Sequence, residues 1–91
     1  MNEKLTQIKK LIGKGELDMA IKQLSQLIET NTAKDELYYL LGNAYRKQGN
    51  WQLALNNYLE AIERNPKSPA VQAHQMLMDI LNFYNKDMYN Q

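Results

Sequence analysis

Apolar side chains recur along this chain at three- and four-residue intervals, the spacing of a helix that hides one face. Leu5, Ile8, Leu11 and Ile12 form a first stripe, which stops at Gly13-Lys14-Gly15. Leu17, Ala20, Ile21, Leu24, Leu27 and Ile28 form a second, ending near Asn31-Thr32. Asp35 opens a third, carried by Leu37, Tyr38, Leu40, Leu41, Ala44 and Tyr45 and closed by Gly49-Asn50. Trp51, Ala54, Leu55, Tyr58, Ala61 and Ile62 make the fourth, which Asn65-Pro66 terminates because proline lacks the N–H and displaces the residue before it from helical geometry. Ser68-Pro69 then starts a fifth helix, with serine as N-cap and proline at the first turn, and its stripe is Ala70, Ala73, Leu77, Ile80, Leu81 and Tyr84. The tail from Asn85 is expected to fray. No stretch alternates with period two, so the pattern predicts an all-α protein without strands.

The chain also resembles itself. A shift of 34 residues places Gly15 on Gly49, Ala20 on Ala54, Ile28 on Ile62, Glu29 on Glu63 and Asn31 on Asn65. The same shift sets Leu11 on Tyr45, Leu17 on Trp51, Ile21 on Leu55 and Leu24 on Tyr58, so the matches gather at turns and on apolar faces. The first four helices therefore read as two copies of a helix–turn–helix unit. One residue resists this pattern of good helix formers: Gly42 lies inside the third helix, where glycine costs roughly 1 kcal/mol relative to alanine.

Tyr38, Leu41, Gly42 and Tyr45, followed by Ala54, Tyr58 and Ala61 and then Pro66, resemble the tetratricopeptide repeat at eight positions of fixed spacing. Residues 1–34 resemble it through Ala20, Leu24 and Asn31, while Lys4, Gln7 and Ile8 depart from the pattern in the first helix. The resemblance implies a short right-handed solenoid in one domain: repeat one over 1–34, repeat two over 35–68, and a capping helix with its tail over 69–91. It also implies a purpose for Gly42. Paired helices approach closely where side chains are small, so Gly42 and Ala54 are expected to face each other, with Tyr45 and Tyr58 filling the space on either side.

Composition narrows the function more than the fold. The 91 residues carry eleven basic and ten acidic side chains, a formal charge of +1, which supplies no broad field for a polyanion or an anionic membrane. No cysteine is present, which excludes disulfide scaffolds, thiolate metal sites and cysteine nucleophiles. The opening "MNEKLTQIKKLIGKGE" is too polar for a secretory signal; with Met1 as the native start, a cytoplasmic protein is expected.

Candidate chemistry is sparse. His74 has only Ala70, Val71, Leu77 and Met78 one turn away and reads as a rim histidine rather than a metal ligand. Glu60 and Arg64 have the i, i+4 spacing of a solvated ion pair, with Glu63 beside them. Lys9, Lys10, Lys14, Arg46 and Lys47, with Tyr39 and Tyr45, resemble a single-strand nucleic-acid surface, but Glu3, Asp18, Asp35 and Glu36 interleave with them and make a mixed solvated face the better reading. Met76, Met78, Met88, Phe83, Tyr84 and Tyr89 crowd the last helix, as core and rim or as an adaptable binding face.

No catalytic residue, cofactor or metal is expected. The resemblance implies a non-catalytic protein-interaction module, a monomer or weak homodimer, that holds a peptide along the first helices of its repeats. The groove positions are Leu5, Lys9 and Ile12, then Glu36, Tyr39, Asn43, Arg46 and Lys47, then Ala73 and Leu77. Tyr39, Asn43 and Arg46, at i, i+4 and i+7, share one face. One subgroup of the family grips carboxylates with lysine, asparagine and arginine. The corresponding places here hold Leu5, Lys9, Leu40, Ala70 and His74, which argues against a chaperone-tail adaptor. The rival expectation is a self-association element whose groove is covered by the C-terminal helix.

Overall fold

The computed structural model describes residues 2–30 and 34–89, with side chains over 3–30 and 34–84. Five helices follow in order: α1 (Asn2–Gly13), α2 (Leu17–Thr30), α3 (Asp35–Gln48), α4 (Trp51–Arg64) and α5 (Ala70–Tyr89). No strand occurs among the described residues, and no helix among them is long and apolar enough to cross a membrane. The expected stop at Asn31-Thr32 falls outside the described residues. Fraying was expected from Asn85, but the backbone remains helical to Tyr89.

The repeat is visible in backbone hydrogen bonds. Gly15 has φ +82° and Gly49 φ +85°, the left-handed conformation that only glycine adopts cheaply. Gly15 N–H donates to Ile12 O at 3.0 Å and Glu16 N–H to Leu11 O at 2.9 Å. Gly49 N–H donates to Arg46 O at 3.0 Å and Asn50 N–H to Tyr45 O at 2.9 Å. Both helices thus close in the same Schellman motif at equivalent positions. Asn50 then caps α4 by accepting from Leu53 N–H at 3.3 Å.

The α4–α5 turn is a hydrogen-bonded unit of its own. Asn65 is extended at φ −149°, as the residue before Pro66 must be. Its side chain accepts from Lys67 N–H at 3.0 Å and donates to Asp35 Oδ2 at 3.2 Å, tying the turn to the start of α3. Ser68 is buried, and its Oγ accepts from Ala70 N–H at 3.0 Å, the expected cap of α5.

Two apolar clusters make the core. Leu5, Ile8, Ile12, Ala20, Leu24, Leu37, Leu40, Leu41 and Ala44 form one among α1, α2 and α3. Ala54, Tyr58, Ala61, Ala70 and Leu77 form the other among α4 and α5, and Tyr39 and Tyr45 pack against both. On α5 the packed face is Ala70, Ala73, Leu77 and Leu81, at i, i+3, i+7 and i+11. Ile80 and Tyr84, expected to share that cover, are instead 48% and 63% exposed, because they lie to one side of the stripe that α4 meets. Helix α3 is the central element, packed on α2 and α4 and touching α1, whereas α5 packs on α4 and makes no comparable contact with α3. The molecule measures 48 × 28 × 18 Å.

Gly42 meets a different neighbour from the one expected. A Cβ built there would overlap the ring of Tyr58, with Cγ at 3.1 Å and two further ring carbons closer still; the nearest side chain is not Ala54. Tyr58 is fully buried, so its ring has no room to retreat. Small residues do mark the α3–α4 contact, and at Gly42 the space is filled by an aromatic ring, one of the two expected to flank it. Burial pushes the Tyr58 phenol above its ordinary pKa, against the opposing hydrogen bond and charge of Arg46.

Two predictions follow from this packing. Gly42→Ala gains helix propensity of ~1 kcal/mol but overpacks the ring, so urea unfolding should show a net loss of about 1–2 kcal/mol. Gly13→Ala, with nothing within 4 Å of the new Cβ and no positive φ, should instead stabilise slightly, by about 0.5 kcal/mol. The second concerns alkali. With the phenol pKa higher in the folded than in the unfolded chain, the unfolded state binds fewer protons once pH passes the ordinary tyrosine value of about 10. Stability contributed by the neutral phenol is therefore complete below that pH and lost above it. Tyr58→Phe should be less stable at neutral pH by about 1 kcal/mol yet show a shallower alkaline decline in pH-dependent denaturation.

Candidate functional site

The gap left between α3 and α5 is the candidate site. It is a cavity of about 270 Å³, bordered on one wall by Tyr39, Asn43 and Arg46 and on the other by Pro69, Gln72, Ala73, Met76, Leu77 and Ile80. A second cleft, of about 280 Å³, shares Tyr39 and Pro69 with it and continues towards Lys9, Asp35, Glu36 and Ser68. Together they form a groove along the α3 face. Each part falls just below the ~300–1,000 Å³ usual for a small-molecule pocket.

The α3 wall is organised by one buried phenol. Tyr58 Oη donates to Asn43 Oδ1 at 2.6 Å and accepts from Arg46 Nε at 3.2 Å. The guanidinium has donors only, so the phenol must give its single proton elsewhere, and Asn43 must present oxygen to it. That fixes the Asn43 amide with its NH₂ group turned away from Tyr58. Tyr39 leans on the same ring at a centroid distance of 6.2 Å. Three groove side chains are thus held by a residue of the neighbouring helix.

The sequence-derived groove residues divide into three sets. Tyr39, Asn43 and Arg46 line the cavity as expected, and Leu77 forms its floor while being only 1% exposed. Lys9 and Lys47 are engaged by the protein. Lys9 Nζ pairs with Glu36 at 3.1 Å across α1 and α3, and Lys47 Nζ donates to Ile12 O at 3.4 Å, closing the end of α1. Leu5 and Ile12 border neither cleft; they belong to the core among α1, α2 and α3. Helix α1 packs on α2 and α3, and Leu5, Ile8 and Ile12 turn together into that contact.

Sequence reasoning missed Pro69, Gln72 and Ile80 as groove residues, and named Met76 only as core and rim or an adaptable binding face of the last helix. The signal was present, since Gln72, Met76 and Ile80 recur at four-residue steps and so share a face. The outer residues behave as read. Glu60 and Arg64 pair at 2.6 Å, and Arg64 also stacks over Tyr38 at 4.2 Å. No group of three or more metal-binding side chains occurs among the described residues.

Comparison with known proteins agrees with the architecture. A tetratricopeptide repeat model matches residues 36–68, and a TPR repeat model matches residues 10–49. The solution NMR structure of Bacteroides fragilis protein BF1650 is similar over the whole length: 60% identity, a TM-score of 0.87, and coverage of 100% of this chain and 92% of that one. No curated protein matches in sequence. Two helix pairs closed by equivalent glycines, together with family matches that span residues 10–68, place this chain in the tetratricopeptide repeat family.

Proposed function

We propose that the protein is a non-catalytic interaction module that holds a peptide or protein segment in the groove between α3 and α5. Tetratricopeptide repeats generally mediate protein–protein contact, and one observation carries the more specific reading. The groove is the place where an aromatic ring, an oriented amide and a guanidinium converge opposite apolar side chains. That combination supplies an anchor, a partner for a peptide backbone and a site for an acid. Asp35, Glu36 and Ser68 at the far end of the groove are tied to Asn65, Lys9 and the start of α5, and the arrangement supports holding rather than reacting.

A second reading rests on α5. Met76, Ile80, Phe83 and Tyr84 are 64%, 48%, 65% and 63% exposed, an apolar strip along the outer half of that helix. Such a strip supports self-association. The two readings separate by concentration: a dimer forms from the protein alone, whereas groove binding requires a second molecule.

The test pairs capture with mapping. Tyr39→Ala combined with Arg46→Ala should weaken capture of a partner by at least thirtyfold, the ~2 kcal/mol of a binding hot spot. Helicity should persist, with a stability loss of about 1 kcal/mol from the broken bond to Tyr58. Amide shifts on binding should centre on Tyr39, Asn43, Ala73 and Met76. Shifts centred on Met19, Gln23 and Gln26 of α2 would place the contact on the opposite face. Sedimentation that changes with protein concentration, with shifts at Phe83 and Tyr84 and no partner present, would favour self-association.

A further inference from the structure

Among the described residues, the charged side chains of α3 are each bonded to other parts of the protein, and Arg46 is the one of them that borders the 270 Å³ cavity. Asp35 accepts from Asn65 at 3.2 Å, Glu36 pairs with Lys9 at 3.1 Å, and Lys47 reaches Ile12 O at 3.4 Å. Arg46 Nε is anchored on Tyr58 Oη, and among the described residues its guanidinium has no carboxylate partner. Among the described residues no acidic side chain borders the 270 Å³ cavity, and the charge on its α3 wall is that of Arg46. Beside it stands the Asn43 amide, whose NH₂ is directed away from Tyr58 by the proton bookkeeping of the phenol.

The opposite wall is apolar and does not end at the cavity. Met76, Ile80 and Phe83 lie at i, i+4 and i+7 on α5, exposed at 64%, 48% and 65%. Phe83 lies outside the residues that border the cavity, so the exposed apolar strip extends beyond it along α5 and offers a bound segment a continuation. A chain end is therefore not required at that point.

We propose that the groove takes an acidic amphipathic peptide segment, with one Asp or Glu side chain held by Arg46 and Asn43 and bulky apolar side chains laid along Met76, Ile80 and Phe83. This rests on the groove being the interaction surface and specifies what it recognises. A guanidinium fixed at Nε presents its remaining N–H groups to a carboxylate without losing rotamer freedom on binding. The apolar wall excludes water from that contact and strengthens it. A single cation opposite an apolar strip does not suit a nucleic-acid backbone, whose binding depends on neutralising many phosphates.

The test is a peptide-display selection with the full chain as bait and short random segments flanked on both sides, so that no free carboxyl terminus is offered. Wild type should enrich Asp or Glu between Leu, Ile or Phe, and Arg46→Glu should enrich Lys or Arg at the same place. The best segment, synthesised acetylated and amidated, should lose on the order of tenfold in affinity when its acid becomes Gln, with amide shifts at Asn43 and Met76. Arg46→Gln, checked by circular dichroism, serves if the charge reversal does not fold, and should abolish the acid preference. Acid preference that survives either variant, with shifts still in the groove, overturns the proposal and leaves the groove as the interaction surface. Binding that requires a free terminal carboxylate overturns it in the same way. No enrichment, or shifts confined to α2, overturns both.

Discussion

The contact between the Tyr58 ring and the bare backbone of Gly42 sets the spacing on which the rest depends. Because residue 42 has no side chain, α4 lies close enough to α3 for a tyrosine ring to occupy the gap without displacing either helix. The ring is fully buried, yet its hydroxyl emerges on the groove side, where it meets Asn43 and Arg46. Burial favours the neutral phenol, so it can donate to Asn43 throughout the ordinary pH range. One residue therefore fills the core of the second repeat and fixes the donors of the groove wall. The helix-propensity cost of Gly42 is offset by packing, and the same packing organises the surface.

Much of the fold was legible in the pattern of apolar positions and turn residues. Gly15 and Gly49 announced themselves by their 34-residue spacing, and both adopt the left-handed conformation that closes α1 and α3. Ser68-Pro69 opened α5 for the physical reasons a cap and a proline supply. What spacing could not decide was which side chain crosses a hairpin. Gly42 and Ala54 are both small and both belong to the α3–α4 contact, but the space above Gly42 is filled from Tyr58, whose reach is longer than the separation of backbone positions implies. Sequence identifies where backbones approach; the rotamer of a large neighbour determines what fills the approach.

The groove was half legible for a related reason. Tyr39, Asn43 and Arg46 follow from helical spacing alone. Leu5 and Ile12 were misplaced because a repeat frame assigns positions by spacing, and spacing does not show which flank of α1 meets α2 and α3. The apolar face of α1 is consumed by the core it forms with α2 and α3. Lys47 escaped for another reason: a lysine stem is long enough to fold back onto Ile12 O, and spacing does not show whether it will. On the α5 wall Ala73 and Leu77 were read as groove and Met76 as rim or adaptable binding face, but Ile80 was read as cover for α4. An amphipathic helix has more than one apolar flank, however, and only packing tells which flank is used.

Charge on α3 has an explanation that precedes any partner. Asp35 and Glu36 in its first turn and Arg46 and Lys47 in its last oppose the helix macrodipole and would stabilise the helix in any setting. Their presence is therefore weak evidence of binding; their satisfaction is the informative part. All four are engaged by neighbouring residues, which converts helix charges into tertiary ties: Glu36 meets the charge of Lys9, whereas Asp35, Lys47 and Arg46 are held by neutral groups, and of these Arg46 borders the 270 Å³ cavity. The groove and the outer strip of α5 are also not independent surfaces. Met76 and Ile80 border the cavity and belong to the exposed strip, so a segment lying in the groove covers part of what a second copy would need. Groove occupancy and pairing through α5 are thus in competition for the same side chains. By linkage, whichever is bound first weakens the other by the same factor, because both draw on one apolar face.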